Sequence, residues 1–446
     1  MPRLNTSNLA YADAVGLQDE YDTQSTHGTI SPGEIAVGVV IGRASEYFDF
    51  FVYAIASVLV FPALLFPDVS RLDGTLYAFM IFALAFVARP FGTIVTMALQ
   101  RAYGRQAKLI AALLLLGAST AGIAFVPSYH QAGTTAIVLL CVLRIGQGLA
   151  LGGSWDGLPS LLALNAPPAK RGWYAMLGQL GAPAGFFVAA GLFWYLLTNL
   201  NQPDFFNWGW RYPFYVAFAI NVVALFARLR LVATDSYVRL LEERELEPTS
   251  AREIYGTQSR NIVIGALAAL ASYALFHLVT VFPLSWIAIN ATRSISAFLA
   301  VQMIGALLFA VGIICSGILA DRFGRRTTLG TTAVLIALFS AMIPLLEHTG
   351  TTGQNAFILV GFTLLGLSYG QAAGAISANF PSKYRYMGAA MTSDMAWLVG
   401  AGFAPLVALS VAAKFGIGYV SIYLLSGALA TLLALGWNRA ATAHGK

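Results

Sequence analysis

The sequence predicts an all-α membrane protein of twelve spanning helices, built as two six-helix bundles related by a pseudo-two-fold. Three observations carry that expectation. The first is a shortage of charge: 446 residues hold 26 basic and 20 acidic side chains, 10% charged in all, against 58% apolar and a mean hydropathy of +0.71. A soluble domain carries roughly 25% charged residues and could not cover so much apolar surface with so few. The second is the length of the charge-free runs, among them Leu109 to Leu143, Gly172 to Pro203, Asn261 to Thr292 and Phe415 to Asn438. A spanning helix needs roughly 20 such residues. The third is an internal echo: Tyr103-Gly-Arg-Gln-Ala-Lys108 returns 220 residues later as Phe323-Gly-Arg-Arg-Thr-Thr328, and half the chain is 223 residues.

In chain order, residues 1–34 are polar and lack the apolar core of a signal peptide, so they read as a tail. Dividing the apolar runs at turn signals such as Pro127-Ser-Tyr-His-Gln-Ala-Gly133 places spans near 36–61, 75–99, 107–126, 135–163, 173–198 and 212–231. The stretch 232–259, with Glu242-Glu-Arg-Glu-Leu-Glu247, is the most charged and links the halves. Further spans follow near 260–283, 295–319, 327–346, 355–379, 387–411 and 415–437, before a tail at 438–446. The bundles are thus 35–231 and 260–437. Pro183 and Pro405 are expected to bend spans five and eleven. The spacings Gly148/Gly152 and Gly366/Gly370 allow close helix approach.

Orientation follows from Lys and Arg. With both termini cytoplasmic, 19 of the 26 fall in inner tails and loops. Four are outer (Arg71, Arg211, Arg293, Lys414), and three, Arg43, Arg89 and Arg144, fall inside spans. The net charge of +6 is then topology and no argument for nucleic acid. Cys141 and Cys315 suggest neither a disulfide framework nor a zinc site, and the five histidines lack metal-ligand spacing. No phosphate-binding GxxxxGK[ST] is present, and Gly146-Gln-Gly148 lacks the βαβ setting of a dinucleotide site. The sequence therefore implies no cofactor, no metal and no enzyme. The expected partners are a small molecule, protons and the bilayer, with the chain a monomer.

A charge at mid-bilayer costs about 2.5–3.5 kcal/mol on insertion scales, so each one is a functional hypothesis. Glu46, Asp49 and Tyr53 share one face of span one. Asp49 lies roughly 18 Å from the inner helix end, and Arg144 in span four reaches a similar depth. Arg144 is thus allowed to pair with Asp49 or Glu46. Trp155, eleven residues on, falls near the same stripe as Arg144 and is a candidate for the same cavity. Asp156 sits too far along the helix to be its partner and is a candidate gate residue. Asp394 in span eleven is a candidate proton or substrate site facing from the second half; Gln147 and Gln179 are candidate cargo contacts. His277 reads first as a core histidine. Burial raises a carboxylate's pKa and a nearby Arg lowers it. A carboxylate that gains or loses Arg144 as bundles rock would change its proton affinity, and an anionic cargo competing for Arg144 would tie the two fluxes together. Proton coupling is therefore assigned to Glu46, Asp49, Arg144 and Asp394, and cargo contact to Tyr53, Arg144, Gln147, Trp155 and Gln179.

The chain resembles the major facilitator superfamily, and within it the bacterial metabolite:proton symporters, over nearly all of residues 35–437. The motifs are Glu46-Tyr-Phe-Asp-Phe-Phe-Val-Tyr53, Ala88-Arg-Pro-Phe-Gly92, Arg144-Ile-Gly-Gln-Gly148 with Gly152-Gly153, Lys170-Arg-Gly172, Gln179-Leu-Gly-Ala-Pro183, Trp208-Gly-Trp-Arg-Tyr-Pro213 and Asp321-Arg-Phe-Gly-Arg-Arg326. Tyr384-Arg-Tyr-Met-Gly388 and Gly400-Ala-Gly-Phe-Ala-Pro405 look most like the shikimate and dicarboxylate branches. The resemblance implies alternating access in a bacterial inner membrane and proton-coupled symport of a small polar metabolite such as a shikimate-like or dicarboxylate acid. A zwitterionic osmolyte carrier of the proline/betaine type and a transport-dead sensor of the same fold are the competing readings. It also implies a cytoplasmic gate at Arg101, Gly104, Arg105, Asp156, Asp321, Arg322, Gly324, Arg325 and Arg326. Two departures stand out. Gln100 and Arg101 occupy the places of the family's Gly-Asp, which reverses a charge. Ser154 replaces the Glu of Gly-Gly-Glu in span four.

Overall fold

A computed structural model describes residues 32–154, 167–232, 249–377 and 380–443. Among these, twelve membrane-length helical segments can be traced. They are α1 (Pro32–Leu59), α2 and α3 (the two arms, 71–103 and 105–124, of Arg71–Ala124), α4 (Thr134–Gly153), α5 (Arg171–Asn199) and α6 (Tyr212–Val232). The second half supplies α7 (Ala251–Asn290), α8 (Ile295–Phe323), α9 (Arg325–His348), α10 (Gly350–Ser377), α11 (Lys383–Phe415) and α12 (Val420–Ala443).

Most edges lie within a few residues of those expected from charge and turns. One differs more. α7 begins nine residues early because Ser250, outside the apolar run, caps it: its side chain accepts from Glu253 N at 3.2 Å, satisfying a first-turn N–H that has no helical partner. Both echo motifs make the same turn, with Gly104 at φ 83° and Gly324 at φ 85°. A side chain strongly disfavours that region, which is why glycine stands at the same place in each copy.

The bundles repeat one packing plan: α1 packs on α5 and α6 as α7 packs on α11 and α12, and α2 packs on α4 as α8 packs on α10. The last pair of contacts is close in both halves. A Cβ at Gly152 would collide with the Arg89 carbonyl, and one at Gly312 would lie 2.7 Å from the Thr363 carbonyl. Helices in lipid gain little from burying apolar surface, so such close van der Waals contact holds them together.

The expected distortions near Pro183 and Pro405 are present and of opposite kind. α5 tightens into a 3₁₀ turn at Gly178–Leu180, and α11 widens into a π turn at Trp397–Gly402, where Tyr423 of α12 donates to the Gly400 carbonyl at 3.1 Å. α7 has a similar break at Val281, ahead of Pro283.

Candidate functional site

Three in-span arginines from three helices converge where the bundles meet. Arg43 (α1), Arg89 (α2) and Arg144 (α4), with Glu46, Tyr47, Phe50, Phe86 and Trp397, line a central cavity of about 30 Å³. That volume admits a water or two and no metabolite. A second, about 20 Å³, also reaches Arg43 and is walled by Gln179, Tyr273, Tyr369 and Ser393. Between bundles lies an aromatic layer: Phe51 stacks on Phe276 at 5.6 Å, Phe86 on Trp397 at 6.0 Å, and Phe50 on His277 at 5.3 Å. Tyr47 also meets Tyr369 hydroxyl to hydroxyl.

The predicted carboxylates divide into three settings. Glu46 pairs with Arg43, one turn back on its own helix, at 2.6 Å. Asp49 is buried behind the cavity and outside its lining; Thr120 of α3 donates to it at 2.8 Å and Gln147 of α4 at 3.5 Å. Arg144 is not the direct partner of Asp49 or Glu46 that depth alone allowed. Gln147, one turn further on α4, stands between: its Oε1 accepts from Arg144 at 3.0 Å while its Nε2 faces Asp49 and Thr120. Arg144 also donates to the Phe82 carbonyl at 3.2 Å and lies 3.9 Å over the Tyr53 ring. Its charge is therefore held by neutral groups and π faces.

Asp394 joins the halves through an ion pair. Arg89 Nε donates to its Oδ1 at 2.7 Å, and the Thr93 hydroxyl to its Oδ2 at 2.5 Å, both from α2. Arg89 also lies 5.8 Å over Trp397. Sequence reasoning singled out Asp394 and missed Arg89 and Thr93 as its partners, and Arg43 and Trp397 as walls of the central cavity. The signal for the arginines was present, since both stand inside spans. Nothing in the order of residues reports a partner 305 positions away.

The expected gate residues fall at the basic ends of the helices. Asp321 at the end of α8 accepts from the first N–H groups of α5, Gly172 at 2.6 Å and Trp173 at 3.1 Å, placing a carboxylate on a helix N-terminus. Arg325 donates to the Gly374 carbonyl at 2.9 Å and Arg326 to that of Leu435, while Arg322 stays beside Phe323. Arg101 donates to the Thr249 carbonyl ahead of α7 at 3.2 Å, and Arg105 lies over the Tyr386 ring. Buried Lys108, not singled out from sequence, donates to Tyr386 of α11 at 3.0 Å. Trp155 and Asp156 lie outside the described residues.

Known proteins match this arrangement. A family model described as Major Facilitator Superfamily matches residues 41–405. The chain belongs to that superfamily. It is 36% identical over 411 residues to the inner membrane metabolite transport protein YhjE of Escherichia coli (strain K12), covering 91% of this chain and 93% of that one. To the shikimate transporter of the same organism it is 29% identical over 423 residues, covering 91% and 95%. To its proline/betaine transporter it is 28% identical over 382 residues, covering 82% and 75%. Among solved structures, the xylose transporter XylE from E. coli in a partially occluded inward open conformation superposes with TM-score 0.69 at 17% identity, covering 89% and 95%. This major facilitator is thus a multi-pass metabolite transporter with a small-molecule cargo, and not an enzyme.

Proposed function

We propose that this transporter imports a small organic anion together with protons by alternating access, as a monomer in a bacterial inner membrane with both termini in the cytoplasm. The observation that carries the reading is the Arg89–Asp394 pair beside the central cavity. Rocking can break only those bonds that cross between bundles. Asp49 is held by α3 and α4, and Glu46 by Arg43 of its own helix, so those bonds travel within one rigid half. The bonds of Asp394 run to α2 of the other half. When α2 and α11 separate, Asp394 loses its cation and takes a proton; when they close, Arg89 displaces it. Glu46 is a second cavity carboxylate within reach of the path, and Asp49 holds Gln147, which orients Arg144.

Arg144 supplies the anion site: it lines the cavity, and its described hydrogen bonds go to neutral oxygens. A cavity of about 30 Å³ cannot hold a metabolite, so the bundles must part to admit one. One proton moving with one monoanion carries no net charge. The pH difference then does the work, about 1.4 kcal/mol or tenfold accumulation per unit.

Uptake into proteoliposomes with an imposed pH gradient tests this, using shikimate, 2-oxoglutarate, citrate and betaine as cargo. The expected result is gradient-driven accumulation of an acid, reduced to equilibration in Asp394→Asn while counterflow persists. Accumulation by Asp394→Asn equal to the parent's overturns the assignment of that residue. Accumulation of betaine alone favours the osmolyte reading, and binding without flux the sensor.

A further inference from the structure

The Phe82 ring of α2 has three polar neighbours that share one defect. The Arg144 guanidinium lies 4.9 Å from its centre, His277 meets it edge-on at 5.3 Å, and Tyr53 tilts against it at 6.2 Å. All three are sealed from solvent, with exposures of 1%, 0% and 0% respectively. Each nevertheless keeps a polar atom without a hydrogen-bond partner: Arg144 Nη2, His277 Nε2 and Tyr53 Oη. Folded proteins leave few buried polar atoms unmet, because each one costs stability. Three around one ring, in the middle of a carrier, describe a seat whose occupant supplies the missing partners.

The chemistry of that occupant follows from which atoms give and which accept. Arg144 has only donors, and the Tyr53 hydroxyl can donate. His277 is fixed by its neighbour. The Thr280 hydroxyl gives its proton to the Phe276 carbonyl at 2.8 Å, so across the 3.3 Å to His277 Nδ1 it accepts, and the ring donates from Nδ1. In the uncharged imidazole this leaves Nε2 as an acceptor. The three atoms therefore call for an anion beside a hydrogen-bond donor, a carboxylate and a hydroxyl on one molecule. Betaine, with a carboxylate and no N–H or O–H, leaves His277 unmet.

We propose that Arg144, Tyr53 and His277 form the seat of a hydroxylated carboxylate, with His277 accepting its hydroxyl and setting specificity. This rests on the organic-anion reading above and narrows it. Arg144 and Tyr53 belong to one bundle and His277 to the other, so one bound molecule ties both halves. The route is short: Phe50, Phe86 and Trp397 line the central cavity on one side and contact His277 on the other, so the parting of the bundles that admits a metabolite also opens the way to the seat.

The test is binding to the purified full-length protein, by calorimetry, of matched acids with and without hydroxyls: shikimate against cyclohexene-1-carboxylate, malate against succinate, lactate against propionate. The hydroxylated member of at least one pair binds roughly tenfold or more tightly. His277→Leu erases that preference and keeps carboxylate binding, while His277→Gln, which retains an acceptor, preserves part of it. A core histidine whose role is structural would lower the melting temperature of the ligand-free protein when replaced by Leu; the seat reading expects it unchanged or raised, since an unmet polar atom is removed. Absence of a hydroxyl preference in every pair, or its survival in His277→Leu, overturns the proposal. Failure of all six acids to bind, or unchanged binding by Arg144→Gln, overturns the underlying anion reading instead.

Discussion

Two seams join the bundles, and they are related by the pseudo-two-fold: α5 lies along α8, and α11 along α2. At the first, Asp321 caps the opening turn of α5, and Gln371 of α10 donates to the Gly172 carbonyl at 3.1 Å, so the bonds gather at the basic ends of the helices. At the second, the residue in the place of Asp321 is Arg101, which turns to the Thr249 carbonyl. The charge that holds this seam has moved inward to Arg89–Asp394, with Lys108–Tyr386 between that pair and the end. One seam is thus closed at its rim by a helix terminus, the other at its middle by an ion pair beside the central cavity. A lock at the rim can seal; a lock beside the cavity can also sense what enters.

That contrast yields graded expectations. Arg89→Leu, which strands a buried carboxylate, carries the largest cost, about 3–5 kcal/mol. Thermal melting in detergent reads it, and the double variant Arg89→Leu/Asp394→Leu recovers most of the loss. Should the single variant melt like the parent, the pair does not hold this seam. Gly172→Ala comes next. Its Cβ would sit 2.7 Å from that of Ala320 and 2.8 Å from Asp321 Oδ1, across the first seam. Overpacking of this kind costs about 1–3 kcal/mol and pushes α5 from α8; cysteine labelling on the facing surfaces of α5 and α8 should rise. The counterpart Gly388→Ala meets the Phe380 ring at 2.6 Å, within its own bundle, and should leave labelling across its seam unchanged. The smallest effect belongs to Arg101→Asp, which restores the acid of the first seam to the second. Exposed charges contribute under about 1 kcal/mol, so a modest fall in labelling along the basic end of α2 is expected, and a rise would contradict the rim comparison.

Much of this architecture was legible because lipid imposes a coarse rule: long charge-free runs must span, and the turns between them carry the charges. The matching turns at Gly104 and Gly324 stand in the sequence as an echo between the halves. Legibility failed wherever contacts joined distant segments. Asp394 was recognisable as a costly acid, yet its partner Arg89 lies on a helix of the other half. Arg144 and Asp49 were placed at similar depth by counting residues, and counting could not show that Gln147 would take up the space between them. The unmet atoms around Phe82 had no signature at all, since an unmade bond leaves no spacing or period in a chain.

The wide turn in α11 has a mechanical meaning. Trp397–Gly402 winds more residues into a turn than the α-helical coil on either side, and Tyr423 of α12 holds one of its carbonyls from outside. α11 is therefore two stiff rods meeting at a supported elbow. Asp394 rides on the rod at the basic end, three residues before the elbow, so that rod can swing away from α2 while the other half of α11 stays seated on its neighbours.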